Sequence, residues 1–379
     1  MYIPRQIDIY NSLKKKSLFL FGPRQTGKSW LISHTLSKFR VYDLLDSDIY
    51  LTLSRDPKRL EEEIRPNEKI IIIDEIQKLP FLLDEVHRII EKRGIHFLLT
   101  GSSARKLRRG GVNLLGGRAR SNHLHPFIFL ELKERFNLLK ALNNGLIPSI
   151  YFSDSPQEDL QAYAGNYLKE EIAAEGLTRN VSAFSRFLQV AAACNGLLIN
   201  YTNISNDAQV PSSTVQEYFQ ILRDTLIGFD VPAWKKSRKR KPISTSKFYF
   251  FDVGVARYLQ NRSVLKENSP EFGDAFETYL AHELKAFVDY NNMGSLCYWR
   301  SKSGYEVDFI INDSVAVEIK AKKNVSPRDL RGIIALKEEK KLDTYIVACL
   351  EKRPRVVQGI NILPWKDFLY QLWNKSKHI

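Results

Sequence analysis

Gly22-Pro23-Arg24-Gln25-Thr26-Gly27-Lys28-Ser29 follows the apolar run Ser17-Leu-Phe-Leu-Phe21 and precedes Trp30-Leu-Ile-Ser-His-Thr-Leu36. The first flank reads as a buried strand and the second as a helix, the strand–loop–helix setting that a phosphate-binding loop requires. Glycines let backbone N–H groups turn inward onto phosphate oxygens, and the helix N-terminus adds its dipole. On this reading residues 22–29 cradle the phosphates of ATP. Lys28 reaches the β- and γ-phosphates, and the Ser29 hydroxyl ligates Mg²⁺.

Lys69-Ile-Ile-Ile-Ile-Asp74-Glu75 supplies a second element. Four isoleucines in a row suit a central parallel strand buried on both faces. Two acids at its C-terminal end stand where open α/β sheets bind ligands. Asp74 is expected in the Mg²⁺ shell. Glu75 is expected to polarise the water that attacks the γ-phosphate. A third strand, His96-Phe-Leu-Leu-Thr100, ends in Gly101-Ser102-Ser103. Ser102 is there a candidate contact to the γ-phosphate or to that water.

The chain has 379 residues, 44% of them hydrophobic and 26% charged, which suits two or three globular domains. No apolar run approaches the ~20 residues of a membrane span, and the N-terminal residues lack the apolar region of a secretion signal. Cys194, Cys297 and Cys349 are far apart and match no zinc spacing, so reduced thiols and a cytoplasmic location are expected. The seven histidines form no ligand cluster; His123 and His125 are placed on one strand face, in a structural role. A net charge of +14 and a pI near 9.5 favour a polyanionic partner, nucleic acid.

Residues 1–130 alternate strand and helix, which argues a parallel sheet covered on both faces. Arg40–Leu45 reads as a short strand, Leu83–Lys92 as a helix, and Phe127-Ile-Phe-Leu130 closes the block. A basic, glycine-flanked stretch lies before that close: Arg105-Lys106, Arg108-Arg109, then Gly116-Gly117-Arg118-Ala-Arg120. Arg118 is a candidate arginine finger for a neighbouring subunit's nucleotide, which implies a homo-oligomer, with Arg120 as the nearest substitute. A solvated basic loop is the other reading of the same residues.

From Leu132 the pattern turns helical. Tyr163–Ile172 reads as one amphipathic helix and Phe184–Cys194 as another. Asn203–Ala208 followed by Val210-Pro-Ser-Ser-Thr-Val-Gln-Glu-Tyr-Phe suggests a short helix, a turn and a second helix capped by Ser212 or Ser213. Ser213 and Gln216 then lie on the helix offered to nucleic acid. Two strands, Ile227–Trp234 and Lys247–Asp252, flank Lys235-Lys236-Ser-Arg238-Lys239-Arg240-Lys241, in which six of seven residues are cationic. That reads as a wing with a phosphate-seeking tip.

The last third carries another constellation. Phe272–Lys285 is a strongly periodic helix, followed by short strands at Leu296–Arg300, Glu306–Ile311 and Val315–Lys320. Glu318 and Lys320, two apart, share a strand face. Asp308 on the preceding strand and Glu277 from the helix complete a candidate Mg²⁺ site. Asp308, Glu318 and Glu277 are the expected ligands, and Lys320 the residue that orients the attacking water.

Taken together, these residues resemble the bacterial and archaeal AAA-type ATPases that carry a C-terminal domain of unknown function. The resemblance rests on Gly22–Ser29, Ile71–Glu75, Thr100–Ser103, Gly117-Arg118, Phe250–Arg257, Phe272–Glu277, Glu306–Asp308 and Glu318–Lys320. It implies an α/β chain in three parts. These are a P-loop AAA-type ATPase domain over 1–131, a helical and winged-helix middle over 132–262, and a restriction-endonuclease-like α/β domain over 263–379 of the PD-(D/E)xK type. Sites of that type often carry proline before the aspartate; here Val307 stands there. The expected activity is ATP hydrolysis with binding of nucleic acid, double-stranded DNA in the first instance. Two alternatives stay open for the C-terminal part: Mg²⁺-dependent cleavage, or an inactive module in an ATP-gated DNA-binding regulator or signalling ATPase.

Overall fold

The structure is a computed structural model that describes residues 2–103, 105, 107, 115–167 and 180–374. Lys106, Arg108, Arg109 and the second half of the helix expected over 163–172 lie outside the described residues; Gln161–Tyr167 form a π-helical stretch. The chain divides into two compact units. The first comprises Met1–Phe127 with Asp224–Ile227, the second Ile128–Arg223 with Gly228–Ile379.

The first unit is a five-stranded parallel sheet of β1 (Ser17–Phe21), β2 (Arg40–Asp43), β3 (Ile70–Asp74), β4 (His96–Gly101) and β5 (Ala119–His123), in the order β2-β3-β4-β1-β5. Helices α1 (Lys28–Thr35) and α2 (Leu82–Arg93) are among those packed around it. Ile70–Ile73 are buried throughout, as are Phe19, Leu20, Leu98 and Leu99; apolar side chains on both strand faces require cover on both sides. Helix α2 buries Leu82, Leu83, Val86 and Ile89 at helical spacing and ends at Gly94, whose φ of 62° suits glycine. The closing strand is Ala119–His123 and not Phe127–Leu130: Phe129–Leu132 is a short helix, and His125 lies beyond the strand that holds His123. Strand β5 pairs only with β1 at the sheet edge, so its polar sequence carries no two-sided apolar signal.

After several short helices between Phe129 and Leu160, the second unit carries helices α3 (Val181–Ala193), α4 (Tyr201–Ala208) and α5 (Ser212–Asp224). Asn180 and Asn200 cap α3 and α4 by accepting from the Ala183 and Asn203 amides. Gln209, at φ 54°, turns the chain toward α5. Helix α5 buries Val215, Tyr218, Phe219 and Leu222 and leaves Ser213 and Gln216 on its exposed face. Strands β6 (Gly228–Val231) and β7 (Lys247–Phe250) follow as an antiparallel pair.

After α6 (Val253–Leu259) and the long α7 (Phe272–Tyr290), a six-stranded mixed sheet completes the unit. Its strands are β8 (Leu296–Arg300), β9 (Glu306–Ile311), β10 (Val315–Lys320), β11 (Thr344–Cys349), β12 (Arg355–Val357) and β13 (Ile360–Pro364), in the order β12-β13-β11-β10-β9-β8. Strand β9 runs antiparallel to both β8 and β10, whereas β10, β11 and β13 are parallel. Helices α8 (Arg331–Lys337) and α9 (Trp365–Asn374) lie in the same unit. The core gathers Trp299, Val307, Ile310, Val347 and Ile362 with Ile333 and Leu336 of α8.

The basic segment between β6 and β7 is not a free tip. Its backbone runs beside β8: Trp234 N donates to Tyr298 O at 2.7 Å and Ile243 N to Arg300 O at 2.8 Å. One carboxylate, Glu339, accepts from the amides of Arg238, Lys239 and Arg240 at 2.8, 2.9 and 3.2 Å. An unpaired stretch of backbone beside a sheet edge finds its hydrogen bonds there.

Candidate nucleotide site, nucleic-acid surface and acid cluster

The phosphate loop sits at the C-terminal end of β1, beside the C-terminal ends of β4 and β3. Gly22 is there because a Cβ would stand 2.5 Å from the Leu124 carbonyl oxygen, and Gly27 because its φ is 92°. Gln25, also at positive φ, and Arg24 are exposed, whereas Pro23 and Thr26 are buried. Thr26 Oγ1 donates to Pro23 O at 2.8 Å and closes the loop on itself. Arg5 braces it from outside, donating to Thr26 O at 2.7 Å and His125 O at 2.5 Å.

Within this frame Lys28 is buried, and its ammonium donates to Gly22 O at 2.8 Å and Pro23 O at 3.2 Å. Ser29 Oγ donates to Asp74 Oδ2 at 2.8 Å, so two residues 45 positions apart meet where the sequence expects a shared metal ion. Asp74 is also held on its other oxygen by the Thr100 hydroxyl, and that Thr100 oxygen accepts from Glu75 N at 3.3 Å. Glu75 adopts φ 61°, a left-handed conformation that a non-glycine residue holds at some cost. Its carboxylate accepts from the Gln77 side-chain amide. The same amide lies 3.4 Å from Ser102 Oγ. Ser102 is thus beside the two acids, through Gln77. Thr100 and Gln77 carry roles that the sequence reading did not assign them.

Arg118 precedes β5 and pairs with Glu91 of α2, whose carboxyl it holds below the usual range. The register sets Ala119 beside Ser17 and His123 beside Phe21. Arg118 therefore stands at the opposite end of the sheet from its own phosphate loop, roughly 20 Å along the strands.

In the second unit, Ser213 and Gln216 face outward from α5, next to the exposed Glu217. Of the six cations between β6 and β7, Lys235, Lys236, Arg238, Lys239 and Lys241 are exposed. Lys236 is paired with Asp313 at 2.8 Å. Arg240 is half-buried, 2.6 Å from Glu338 and donating to Ala335 O at 3.0 Å. Two of the six thus serve the attachment of the segment.

The C-terminal sheet does bring Glu277, Asp308, Glu318 and Lys320 into one neighbourhood. Burial and then the Asp308 charge push the Glu318 carboxyl well above the ordinary range. The same two causes take Glu277 up to about 7. Burial alone would lower Lys320, but Glu318 and Asp308 beside it raise it. These four are nevertheless not assembled as an ion-holding group, and among the described residues no three His, Cys, Asp or Glu side chains are. One oxygen of each acid is turned to an internal donor, while Glu318 Oε2 is buried with no partner. Asp308 Oδ2 accepts from Ile319 N at 2.7 Å, Glu318 Oε1 from Lys320 at 2.5 Å, and Glu277 Oε1 from Tyr249 OH at 2.6 Å. The three acids expected to ligate Mg²⁺, Glu277, Asp308 and Glu318, are thus close together but not arranged as a ligand set among the described residues. Lys247 and Glu306 belong to the cluster as well, 2.6 Å apart.

Comparison with known proteins agrees with the first unit's geometry. Residues 14–133 match the model of the AAA domain, residues 135–266 a domain of unknown function (DUF8612), and residues 272–368 another domain of unknown function (DUF4143). The N-terminal part is an AAA-type P-loop ATPase domain. No curated protein matches the chain. Among solved structures, the Orc1 protein of Aeropyrum pernix in complex with DNA is similar at 14% identity and a TM-score of 0.24, over 66% of this chain and 87% of that one. Can2 from Sulfobacillus thermosulfidooxidans in complex with cyclic tetra-adenylate is similar at 9% identity and a TM-score of 0.22, over 96% and 100%. Likenesses that loose carry no argument about this chain. No described helix is long and apolar enough to cross a membrane.

Proposed function

We propose that this chain hydrolyses ATP in its N-terminal unit and couples the nucleotide state to the holding of nucleic acid by its middle region. The observation that carries the reading is the 2.8 Å contact between Ser29 Oγ and Asp74 Oδ2 beside the buried Lys28. A hydroxyl, a carboxylate and an ammonium brought together from two strand ends fit a phosphate and its Mg²⁺. Bound Mg²⁺ supplies charge neutralisation on the phosphate oxygens. Lys28 releases the loop carbonyls and turns to phosphate, the loop residues other than Pro23, which has no N–H, offer their amides, and Ser29 with Asp74 would hold the metal's ligand shell. Glu75 takes a proton from, or orients, the attacking water.

The middle region is read as a winged helix, with α5 as its outward helix and β6–β7 as its wing, in a chain of three parts at 1–131, 132–262 and 263–379. Ser213, Gln216 and the exposed Lys235, Arg238, Lys239 and Lys241 support contact with duplex DNA. The C-terminal sheet is read as a non-cutting module, because one oxygen of each of its acids is already held by an internal donor and no metal-holding group of three is assembled among the described residues.

The test is ATP turnover and nucleotide affinity of wild type, Lys28→Ala and Glu75→Gln, with DNA retardation at low salt with and without ATP. We expect Lys28→Ala to lose binding and Glu75→Gln to bind without hydrolysing. Equal turnover in all three would refute the site; DNA that never shifts would leave an ATPase with a protein partner.

A further inference from the structure

Strand β7 carries a lysine into the acid cluster of the C-terminal sheet. Lys247 is only 5% exposed. Its ammonium stands 2.6 Å from Glu306 Oε1 and 3.7 Å from Glu277 Oε1. Tyr249, two residues along the same strand and so on the same face, donates to that Glu277 oxygen at 2.6 Å. Arg300 lies 3.5 Å from the other oxygen of Glu306. Strand β7 thus satisfies two acids that belong to α7 and β9.

A divalent cation requires several carboxylate oxygens turned to one point, each about 2.0–2.6 Å from it. Here one oxygen of each acid is held by Lys247, Tyr249, Lys320 or the Ile319 amide, and of the rest Glu318 Oε2 is buried with no partner. A buried lysine without a counter-charge is strongly unfavourable, and so is a buried group of carboxylates without a cation. Each need is answered by the other.

We propose that Lys247 is the resident counter-ion of this cluster: seated with β7, it takes the place of a divalent cation and keeps the sheet from binding one. Metal uptake and the seating of β7 are then mutually exclusive. Whatever draws β7 off the sheet frees Glu277 and Glu306 for a metal ion beside Asp308. The inference goes beyond the ATPase reading and does not depend on it, since every residue named lies in the second unit.

The experiment is titration with Mn²⁺, following free Mn²⁺ by electron paramagnetic resonance, on the full-length chain without nucleotide. Five proteins are compared: wild type, Lys247→Met, Lys247→Arg, Asp308→Asn, and Lys247→Met combined with Asp308→Asn. Only Lys247→Met should gain a site, roughly tenfold or more tighter than anything wild type shows. Lys247→Arg keeps the cation and should gain none, and Asp308→Asn should remove the gained site. Should Lys247→Met fail to fold, Mn²⁺ is expected to restore its melting transition. A wild-type site sensitive to Asp308→Asn would overturn the proposal. So would a folded Lys247→Met that binds no ion, or an unfolded one that Mn²⁺ does not rescue.

Discussion

The side-chain amide of Gln77 donates to the carboxylate of Glu75, and the same buried amide lies 3.4 Å from Ser102 Oγ. A flexible acid on a left-handed turn is thereby given one direction, toward the ends of β3 and β4. Positioning of a general base is worth much of its effect, and the base itself contributes typically 10²–10⁴-fold. Glu75→Gln should lose turnover on that scale with ATP affinity intact. Gln77→Ala should lower kcat roughly tenfold and leave ATP binding unchanged. A Gln77→Ala enzyme with wild-type kcat would make the amide a packing group only.

Arg118 is separated from its own phosphate loop by the length of the sheet, so any action on a nucleotide is on that of another copy. We predict that turnover per chain rises with protein concentration, and that Arg118→Ala lowers kcat by ~10³ or more while sparing ATP affinity. The half-exposed pair with Glu91 contributes little to stability, so the variant should fold normally. Full activity in a sample shown by light scattering to be monomeric would end this role.

The phosphate loop was legible because its conformations are encoded locally. Glycine at 22 and 27, lysine at 28 and a four-isoleucine strand each constrain their own backbone or burial. Gln77, Arg5 and Lys247 were not legible, because their roles come from partners far along the chain. Lys247 opens an apolar strand a few residues after six cations, and nothing in its own neighbourhood says that its ammonium is buried against acids. Its burial is set by α7 and β9 packing against β7. Strand β5 was missed in part because an edge strand keeps polar residues. The departure at Val307 is explained by its place in the sheet: it is buried in the core, on the strand face opposite Asp308.

The basic segment should act through four residues and not six. Neutralising Lys235, Arg238, Lys239 and Lys241 removes exposed charges and should flatten the salt dependence of duplex binding by about 0.9 for each phosphate that is no longer neutralised. Neutralising Lys236 and Arg240 breaks the pairs with Asp313 and Glu338. The loss of Arg240, which also donates to Ala335 O, should lower the unfolding midpoint, the exposed Lys236 pair contributes little, and most of the slope should remain. Slopes that respond equally to both sets would mean that the segment leaves the sheet when nucleic acid binds.

Glu283 of α7 is buried, and its Oε1 accepts from Phe129 N at 2.6 Å and from Tyr279 OH at 3.0 Å. Burial pushes its carboxyl up to about 8, with the two donors pulling the other way and Glu131 adding to the rise. In the unfolded chain it titrates near the ordinary 4.5. Between those values the folded protein holds a proton that the unfolded chain has lost. Stability is therefore fully present below about 4.5 and falls as pH rises to about 8, by roughly 1.4 kcal/mol per pH unit for this group. Glu283→Gln keeps an acceptor for the Phe129 amide and cannot ionise. Its advantage over wild type should be absent at the acid end of the window, grow through it, and stay constant above about pH 8. Asp252, taken up by burial to about 6, adds a slope of the same sign that the variant retains. Urea midpoints for the two proteins across that range provide the measurement. Parallel curves would show that Glu283 is charged in the folded state and that the donors outweigh burial.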